Sequence, residues 1–215
     1  MKPVELHNNF KIRLCAPEDK PALYEICIKT ADSGNDASEL YTDKEALPDF
    51  FVGPYLKLEP ELAFAVTDGG QEICGYIIGC LDSEKFYRRF ENEWLAEIRK
   101  KYKQQHEQIL QKTSEESERT QAIIKKLFHP DIYLPPLFKE KYPSHLHMNL
   151  LPRAQKQGLG TKMLRFMTQA LKKNGSKGLH LGTGTKNKYA NPFYLKMGMD
   201  IVEQNDITTY YGMSF

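Results

Sequence analysis

The sequence lacks the features that would place this protein in a membrane, in a secretory pathway or on nucleic acid. No stretch approaches the ~18–20 apolar residues of a membrane span. The first residues, MKPVELHNNFKIRL, have no apolar centre like that of a signal peptide. A charge excess of one sign is also missing, because 30 Lys and Arg oppose 28 Asp and Glu. We therefore expect a cytoplasmic monomer or homodimer with no membrane or nucleic-acid partner.

Cysteine pairs are absent as well, and this bears on disulfide and metal chemistry. The four cysteines form no C-x-x-C pair, and each lies in an apolar segment. We expect buried, reduced thiols. The pair His145-x-His147 has no evident further ligands, so no metal site is predicted.

What is present is typical of a globular chain: 215 residues, 40% hydrophobic and 27% charged, long enough for one domain or one domain with an insertion. The first half predicts a strand at FKIRLC, a helix in APEDKPALYEICIKTADSG and a helix around 42–52. It also predicts a hairpin, LAFAVTDGGQEICGYIIGCLD, that turns at Asp68-Gly69-Gly70. Helices are predicted from Glu84 to Phe128, and the polar middle of that region is either a solvated helix pair or partly disordered.

The second half alternates strands and helices. Strand HLHMNLLP precedes a helix from Leu159 to about Lys173, whose apolar residues recur on one face. Strand GLHLGTG, a helix around 189–197 and strands DIVEQND and TTYYGMSF follow. This alternation predicts an α/β layer with some parallel pairing.

Two glycines, Gly158 and Gly160, stand where the strand must give way to the helix after it. A helix N-terminus has unpartnered N–H groups and attracts phosphates, and glycine allows the backbone to approach a ligand closely. Arg153, Lys156 and Lys162 are cations that could assist there. The G-x-G-x-x-G and P-loop patterns both fail. The glycines alone therefore leave open whether the turn binds a pyrophosphate or is a tight turn without a ligand.

Two motifs in this half carry a resemblance to a known family. The first, Gln155-x-x-Gly158-x-Gly160, resembles the acyl-CoA motif Q/R-x-x-G-x-G/A of the GNAT superfamily of N-acyltransferases. The second, Asn187-x-x-Ala190-x-x-x-Tyr194-x-x-x-Gly198, is similar to that family's N-x-x-A-x-x-x-Y-x-x-x-G. The resemblance implies an α/β fold of the α+β kind, with a central twisted mixed sheet flanked by helices. It also implies a single domain over 1–215, with a helical insertion at about 84–142 and an acetyl-CoA-binding half at 144–215.

A narrower likeness rests on the segments DFFVGPYL, ICGYIIGCLDSEKF and YPSHLHMNLLP. They resemble the acetyltransferase-like domain at the C-terminus of animal O-GlcNAc hydrolases and its free-standing bacterial relatives. The animal versions lack the glycine loop and look like pseudo-enzymes, whereas this chain keeps the loop.

The family resemblance implies roles for particular residues. The Leu150 N–H would bind the acetyl carbonyl, and Tyr194 would protonate the departing CoA thiolate, although Tyr194 could instead be an amphipathic core residue. Asn187 would orient the cofactor or merely cap the last helix. The implied acetyl-CoA-binding residues are Leu150, Leu151, Pro152, Gln155, Lys156, Gln157, Gly158, Leu159, Gly160, Thr161, Asn187 and Tyr194.

The general base is harder to assign. His145, His147 and Asn149 share one face of their strand. Relatives of the O-GlcNAc hydrolase type have Asp where this chain has Asn149, and an amide accepts a proton poorly. His147 is therefore the first candidate and Asp82 the second, while His145 is more readily a structural, hydrogen-bonded residue. A free amine substrate could dispense with a protein base.

The sequence thus predicts an acetyl-CoA-dependent N-acetyltransferase that acts by direct attack on a primary amine of a small molecule or a lysine-like acceptor. The alternative is a non-catalytic module that binds acetyl-CoA or a peptide in the same cleft. The substrate is expected to contact residues in DFFVGPYLKLEP and HPDIYLPPLF.

Overall fold

A computed structural model describes residues 3–215, and these form an eight-stranded mixed sheet in the order β1-β2-β3-β4-β5-β6-β8-β7. All neighbouring strands are antiparallel except β5 and β6, which are parallel. The mixed sheet predicted from the sequence is therefore confirmed. The strands are β1 (Val4–His7), β2 (Phe10–Leu14), β3 (Ala63–Thr67), β4 (Ile73–Cys80), β5 (Ser144–Leu150), β6 (Gly178–Gly184), β7 (Asp200–Gln204) and β8 (Thr208–Ser214).

Helices cover both faces of this sheet. They are α1 (Lys20–Lys29), α2 (Ala46–Phe51), α3 (Gly53–Leu58), α4 (Ser83–Arg89), α5 (Ala96–Lys101), α6 (Lys103–Leu110), α7 (Glu118–Phe128), α8 (Pro136–Lys141), α9 (Leu159–Lys173) and α10 (Ala190–Lys196), with a π-helical stretch Phe90–Leu95 joining α4 to α5. Within residues 3–215, no helix is both long and apolar enough to cross a bilayer. Strand β1 and helix α3 were not predicted, because both are short and lack a clear period.

The predicted hairpin is present as β3 and β4, but its turn differs in detail from the expectation. The left-handed residue is Gln71, at φ 66°, rather than either glycine. The Asp68 side chain accepts hydrogen bonds from the backbone N–H groups of Gly70 and Glu72 at 3.0 and 3.1 Å. An Asx-type turn therefore shapes this hairpin.

Helix α9 has the bounds that the sequence predicted. Its apolar face packs onto the sheet through residues that are at most 1% exposed: Leu159, Met163, Leu164, Met167 and Leu171. Beyond its C-terminus, Gly175 adopts φ +86°, a left-handed conformation in which glycine pays no Cβ penalty. The helix is therefore fixed at both ends by glycines, with Gly158 at φ +74° before its first turn.

The sheet separates two apolar layers. The α9 side buries residues of β5, β6 and α9, while the opposite side buries residues of α1 to α3 together with the helices between 84 and 128. Those helices, including the polar pair α6 and α7, thus complete the core on the second side. Three cysteines, Cys27, Cys74 and Cys80, are buried free thiols as expected; Cys15 is a free thiol that is only half-buried.

A buried carboxylate, Asp49 on α2, ties these helices together. It is 2% exposed and accepts hydrogen bonds from the hydroxyls of Tyr24 and Tyr102 at 2.6 and 2.8 Å. Lys101 contributes an ion pair at 2.7 Å, and the Trp94 indole N–H donates to the Asp49 backbone carbonyl at 2.7 Å. One side chain therefore joins α1 and α2 to the helical segment after β4.

Asp49→Asn should lower the free energy of unfolding by about 2 kcal/mol, since hydrogen bonds to charged groups are worth about 1.5–3 kcal/mol and the amide retains acceptor capacity on one atom only. Glu45→Gln is the matched control. Glu45 is the exposed second partner of Lys101, and an exposed ion pair contributes at most about 1 kcal/mol. Urea unfolding of both variants measures the contrast; equal losses would contradict a special role for Asp49.

Candidate active site

A cleft opens where β5 and β6 separate. These parallel strands pair only at Ser144 with Leu179 and His145 with His180, and β5 continues to Leu150 without β6 beside it. Strand β4 stays paired with β5 over the whole length, from Cys80 with His145 to Gly75 with Leu150. The sheet is therefore split along one side of β5 only.

The backbone of β5 presents polar groups to this split. The Leu151 N–H donates to the Cys74 carbonyl at 2.8 Å, which identifies that pair as hydrogen-bonded across β4 and β5. Backbone groups alternate in direction along an antiparallel strand, so the backbone N–H and C=O groups of Asn149 and His147 also point towards β4. The N–H groups of Met148 and Leu150 consequently point towards the cleft.

The glycine turn closes one end of the cleft. Gly158 is the N-cap of α9 and supplies no side-chain cap, so the N–H groups of Leu159, Gly160 and Thr161 have no intrahelical partners. A Cβ atom on Gly158 would meet no atom within 4 Å, whereas one on Gly160 would meet the Met148 and Phe193 side chains at 3.4 Å. The turn therefore leaves open space in front of a helix N-terminus, the geometry that suits an anionic group.

Of the three cations expected to assist, only Lys156 lines the cleft. Arg153 contacts the β3–β4 hairpin instead, with 3.0 Å from its guanidinium to the Ile73 carbonyl and 3.4 Å to the Asp68 carboxylate. Lys162 donates to the backbone carbonyl of Leu6. The structure thus corrects the expectation for these two residues, whose partners come from segments distant in sequence.

The cleft has a volume of about 950 Å³ and reaches both faces of the sheet. On the α9 side it is lined by β6, α10 and the glycine turn, and on the other side by α1, the following loop and α2. Ten of the residues expected to hold the cofactor line it: Leu150, Pro152, Gln155, Lys156, Gly158, Leu159, Gly160, Thr161, Asn187 and Tyr194. Leu151 and Gln157 do not, since Leu151 lies in the core beneath α1 to α3 and Gln157 donates to the Arg153 carbonyl at 2.7 Å.

Tyr194, on α10, has features both of a core residue and of a residue that could act in the cleft. It is 8% exposed and packs against Phe193 and Tyr211, yet it lines the cleft. Its hydroxyl has no hydrogen-bond partner among residues 3–215 and is not among their fully buried polar atoms. Burial, with a further contribution from Tyr211, raises the pKa of Tyr194, so the phenol keeps its proton at neutral pH.

Two polar side chains at the cofactor end are partly occupied by the protein itself. Asn187 accepts hydrogen bonds from the N–H groups of Tyr189 and Ala190 at 3.1 and 2.9 Å, so it caps α10 as the alternative reading expected. Gln155 donates to the Leu150 carbonyl at 2.8 Å and thereby braces the end of β5. These contacts hold the walls of the cleft in place.

Asn149 faces the other side of the sheet, towards α1. Its amide nitrogen lies 2.5 Å from the Thr30 hydroxyl, which in turn donates to the Ile26 carbonyl at 2.7 Å. Thr30 therefore accepts the amide N–H. This arrangement orients Asn149 with its carbonyl oxygen away from Thr30.

His147 lies beside Asn149 on the same face and packs against Phe51 and Tyr55. The distances between ring centroids are 5.6 and 5.4 Å. Its side chain lines the cleft and is half-buried by surface accessibility. Desolvation, reinforced by the nearby His180, lowers the pKa of His147 to about 4. The imidazole is therefore neutral at pH 7 but is a weak base.

Acid stability should reflect this shift. The unfolded-state pKa of histidine is ~6.5, whereas that of His147 in the folded protein is about 4. The unfolded chain therefore binds the proton more readily, and stability present above about pH 6.5 is lost as the pH falls towards 4. His147→Gln should flatten this loss in urea unfolding measured from pH 7 to 4, whereas an unchanged slope would contradict the assignment.

Asp82 and His145 lie elsewhere. Asp82 caps α4 by accepting from the Lys85 N–H at 3.0 Å and borders a separate surface pocket with Lys139 and Lys177. It does not line the cleft, which removes the geometric basis for its expected role as a base. His145 is 3% exposed and contacts the Tyr55 hydroxyl at 2.6 Å and the Ser83 hydroxyl at 2.7 Å, as a structural histidine would.

The side of the cleft next to α1 and α2 contains residues that the sequence did not single out. Thr30, Tyr41 and Tyr76 line it, together with Phe51 from the segment DFFVGPYLKLEP. No residue of HPDIYLPPLF does; Tyr133 from that segment donates to Glu203 at 2.6 Å instead. Thr30 is the C-cap residue of α1 and belongs to no sequence motif, so only the packing of α1 on β5 identifies it.

Comparisons with known proteins give a family model and relatives for this chain. A family model described as "Acetyltransferase (GNAT) family" matches residues 133–199. The chain is 24% identical to Protein O-GlcNAcase of Rattus norvegicus. The match covers 88% of this chain but only 20% of the length of that relative.

Two solved structures share the fold. The structure of SsHAT is 31% identical, with 96% of this chain and 98% of that one covered and a TM-score of 0.84. The PaiA N-acetyltransferase of Thermoplasma acidophilum, solved in complex with coenzyme A, is 12% identical over 96% and 99% of the two chains, with a TM-score of 0.57.

Proposed function

Since this chain belongs to the GNAT acetyltransferase family, we propose that it transfers an acetyl group from acetyl-CoA directly to a primary amine. One observation carries the proposal. The cleft between β5 and β6 extends from the helix N-terminus at Gly158, whose N–H groups suit an anion, past the Tyr194 phenol to a lining formed by α1 and α2 on the other face of the sheet. Such a passage allows a cofactor and an acceptor to meet from opposite faces.

The cofactor end fits acetyl-CoA. The N–H groups of Leu159, Gly160 and Thr161, with Lys156 beside them, would hold the pyrophosphate. The inward-facing N–H groups of Met148 and Leu150 would bind the pantetheine arm and the acetyl carbonyl. When bound, acetyl-CoA supplies an acetyl group activated as a thioester.

Tyr194 would act as the general acid. A thiolate departs more easily when a proton is supplied to it, and a phenol whose pKa is raised remains available as a donor at neutral pH. The Leu150 N–H would stabilise the negative charge that develops on the acetyl oxygen. His147 could accept the proton of the amine, but its lowered pKa makes it a poor base for a strongly basic amine.

A second function is favoured by one observation, the presence of Asn149. An amide at this place on β5 offers no proton acceptor beside the acceptor opening, which suits a module that binds acetyl-CoA or a peptide without turnover. The glycine turn and Tyr194 favour the enzyme. The enzyme and an acetyl-CoA-binding module would share cofactor binding and differ in turnover, whereas a peptide-binding module would not need the cofactor.

Calorimetric titration with acetyl-CoA, followed by a screen of primary amines read through release of free CoA, tests both proposals. We expect a Kd for acetyl-CoA between about 1 μM and 1 mM, the range in which the KM values of enzymes usually fall. Absence of binding up to about 1 mM would sink the acetyltransferase and leave only a module that binds a peptide. Binding without amine-dependent CoA release would leave the non-catalytic module.

A further inference from the structure

The acceptor side of the cleft is uncharged. We call the part lined by Thr30, Tyr41, Leu47, Phe51, Tyr76 and Asn149 the acceptor slot. Within the part of the chain that the structure describes, no Asp or Glu lines any part of the cleft, and its one Lys or Arg, Lys156, stands at the glycine turn. An ammonium ion entering the slot would lose its hydration without meeting an opposite charge, which is strongly unfavourable.

The hydrogen bonds of Asn149 suit an amide and not a carboxylate. The Thr30 hydroxyl donates its single proton to the Ile26 carbonyl at 2.7 Å. Its oxygen therefore accepts a hydrogen bond from the Asn149 amide nitrogen, 2.5 Å away. A carboxylate has no proton to donate there and would face the lone pairs of that oxygen. The neutrality of the slot is thus built into the contact between α1 and β5.

Backbone carbonyls at the end of α1 do not replace the missing negative charge. The Cys27 carbonyl accepts from the Thr30 N–H at 3.4 Å, and the Ile28 carbonyl accepts from those of Ala31 and Ala37 at 3.3 and 3.1 Å. With Ile26 engaged by the Thr30 hydroxyl, these carbonyls already have donors. The Asn149 side-chain oxygen, for which no hydrogen bond to residues 3–215 is found, is thus an acceptor on the lining of the slot.

Three aromatic rings, those of Tyr41, Phe51 and Tyr76, line the slot together with Leu47. Rings favour flat partners packed face or edge on. They can attract a cation too, but attraction does not remove the proton that blocks attack. Transfer from a lysine-like ammonium, with a pKa of ~10.4, to His147, with a pKa of about 4, is unfavourable by roughly six powers of ten.

We propose that Asn149, oriented by Thr30, determines acceptor specificity and selects an uncharged primary amine carried on an aromatic ring over an alkylammonium. This inference rests on the proposed acetyl transfer. An arylamine is already neutral at pH 7, so it needs neither a counter-ion nor a strong base. Its ring would lie among the three aromatic side chains, with one N–H donated to the Asn149 oxygen.

The chemical step balances without a further reactant. The amine nitrogen forms a bond to the acetyl carbonyl carbon, and the carbon–sulfur bond of the thioester breaks. The sulfur leaves with the bonding electron pair and receives a proton from Tyr194, and the nitrogen loses one proton, which restores the phenol. The products are an N-aryl acetamide and free CoA.

A matched pair of ligands tests the inference by binding alone. 4-Methoxyaniline is neutral at pH 7.5 and 4-methoxybenzylamine is a cation, while their rings are the same. NMR titration of the full chain should give a Kd for the aniline at least about tenfold lower. Asn149→Asp should shift the ratio of the two constants towards the benzylamine by roughly 10- to 1,000-fold, the range over which a nearby opposite charge favours an ionised group.

Gln169→Glu is the control, because it adds the same charge on the exposed face of α9 and should leave the ratio unchanged. The ratio of the two dissociation constants can be measured on the wild type alone. The inference therefore remains testable even if Asn149→Asp misfolds. Benzylamine binding to the wild type as tightly as the aniline overturns it, whether or not acetyl-CoA binds. Failure of acetyl-CoA to bind overturns the proposed function instead, and CoA release measured with both amines separates the two failures.

Discussion

Tyr194→Phe should lower kcat for amine acetylation by about 10²- to 10⁴-fold, the usual contribution of a general acid or base. The change removes one oxygen that lines the cleft and has no hydrogen-bond partner among residues 3–215. The ring, and its packing on Phe193 and Tyr211, would remain. Loss of rate with the affinity for acetyl-CoA nearly unchanged is therefore the signature of a proton donor to the leaving group.

Tyr211→Phe provides the matched control. Tyr211 lies 5.6 Å from Tyr194 between ring centroids, is 1% exposed, and donates its hydroxyl to Asn191 at 3.0 Å instead of to the cleft. Losing that bond costs about 1 kcal/mol of stability and should leave kcat within a few-fold. Single-turnover rates and calorimetry of both variants give the comparison. Similar kcat values for the two variants would remove Tyr194 from the chemistry.

The sequence predicted the cofactor half well because its signals are local. Helix α9 combines a helical apolar period with glycines at both ends, and the strands β5 and β6 are bounded by turn residues. Each signal spans fewer than about 20 residues, so no knowledge of tertiary packing was needed. The resemblance then joined the glycine turn to Tyr194, about 35 residues later, and both line one cleft.

The side of the cleft next to α1 could not be predicted in the same way. Asn149 was recognised as an unusual residue, but its meaning depends on Thr30, 119 positions away and hydrogen-bonded through a particular packing of α1 on β5. The expectation that Asp82 acts as a base lost its geometric support for the opposite reason. A residue at the end of a central strand can turn away from the cleft and cap the next helix. Arg153 and Lys162 likewise found partners in other segments. Such contacts are fixed by register and helix packing, which a single sequence does not specify.

Gly158→Trp should weaken acetyl-CoA binding at least about 100-fold. Gly158 lines the cleft in front of the N–H groups at the start of α9, and a side chain there extends into open space. An indole would occupy the place proposed for the pyrophosphate and cover those donors. Charge-assisted hydrogen bonds contribute about 1.5–3 kcal/mol each, so losing two of them, about 3–6 kcal/mol, corresponds to about 100-fold or more in Kd.

The control variant must reproduce the backbone strain without blocking the cleft. The glycine at the other end of α9 is a suitable position for it. Gly175, beyond the other end of α9, has φ +86° against +74° at Gly158, and a Cβ there also meets no atom within 4 Å. Each tryptophan therefore carries a similar left-handed penalty, about 1–2 kcal/mol. Thermal unfolding should show comparable losses for both variants, while calorimetry should show weaker acetyl-CoA binding for Gly158→Trp alone. Equal affinities would mean that the turn holds no part of the cofactor, and strain alone would then explain why glycine occupies position 158.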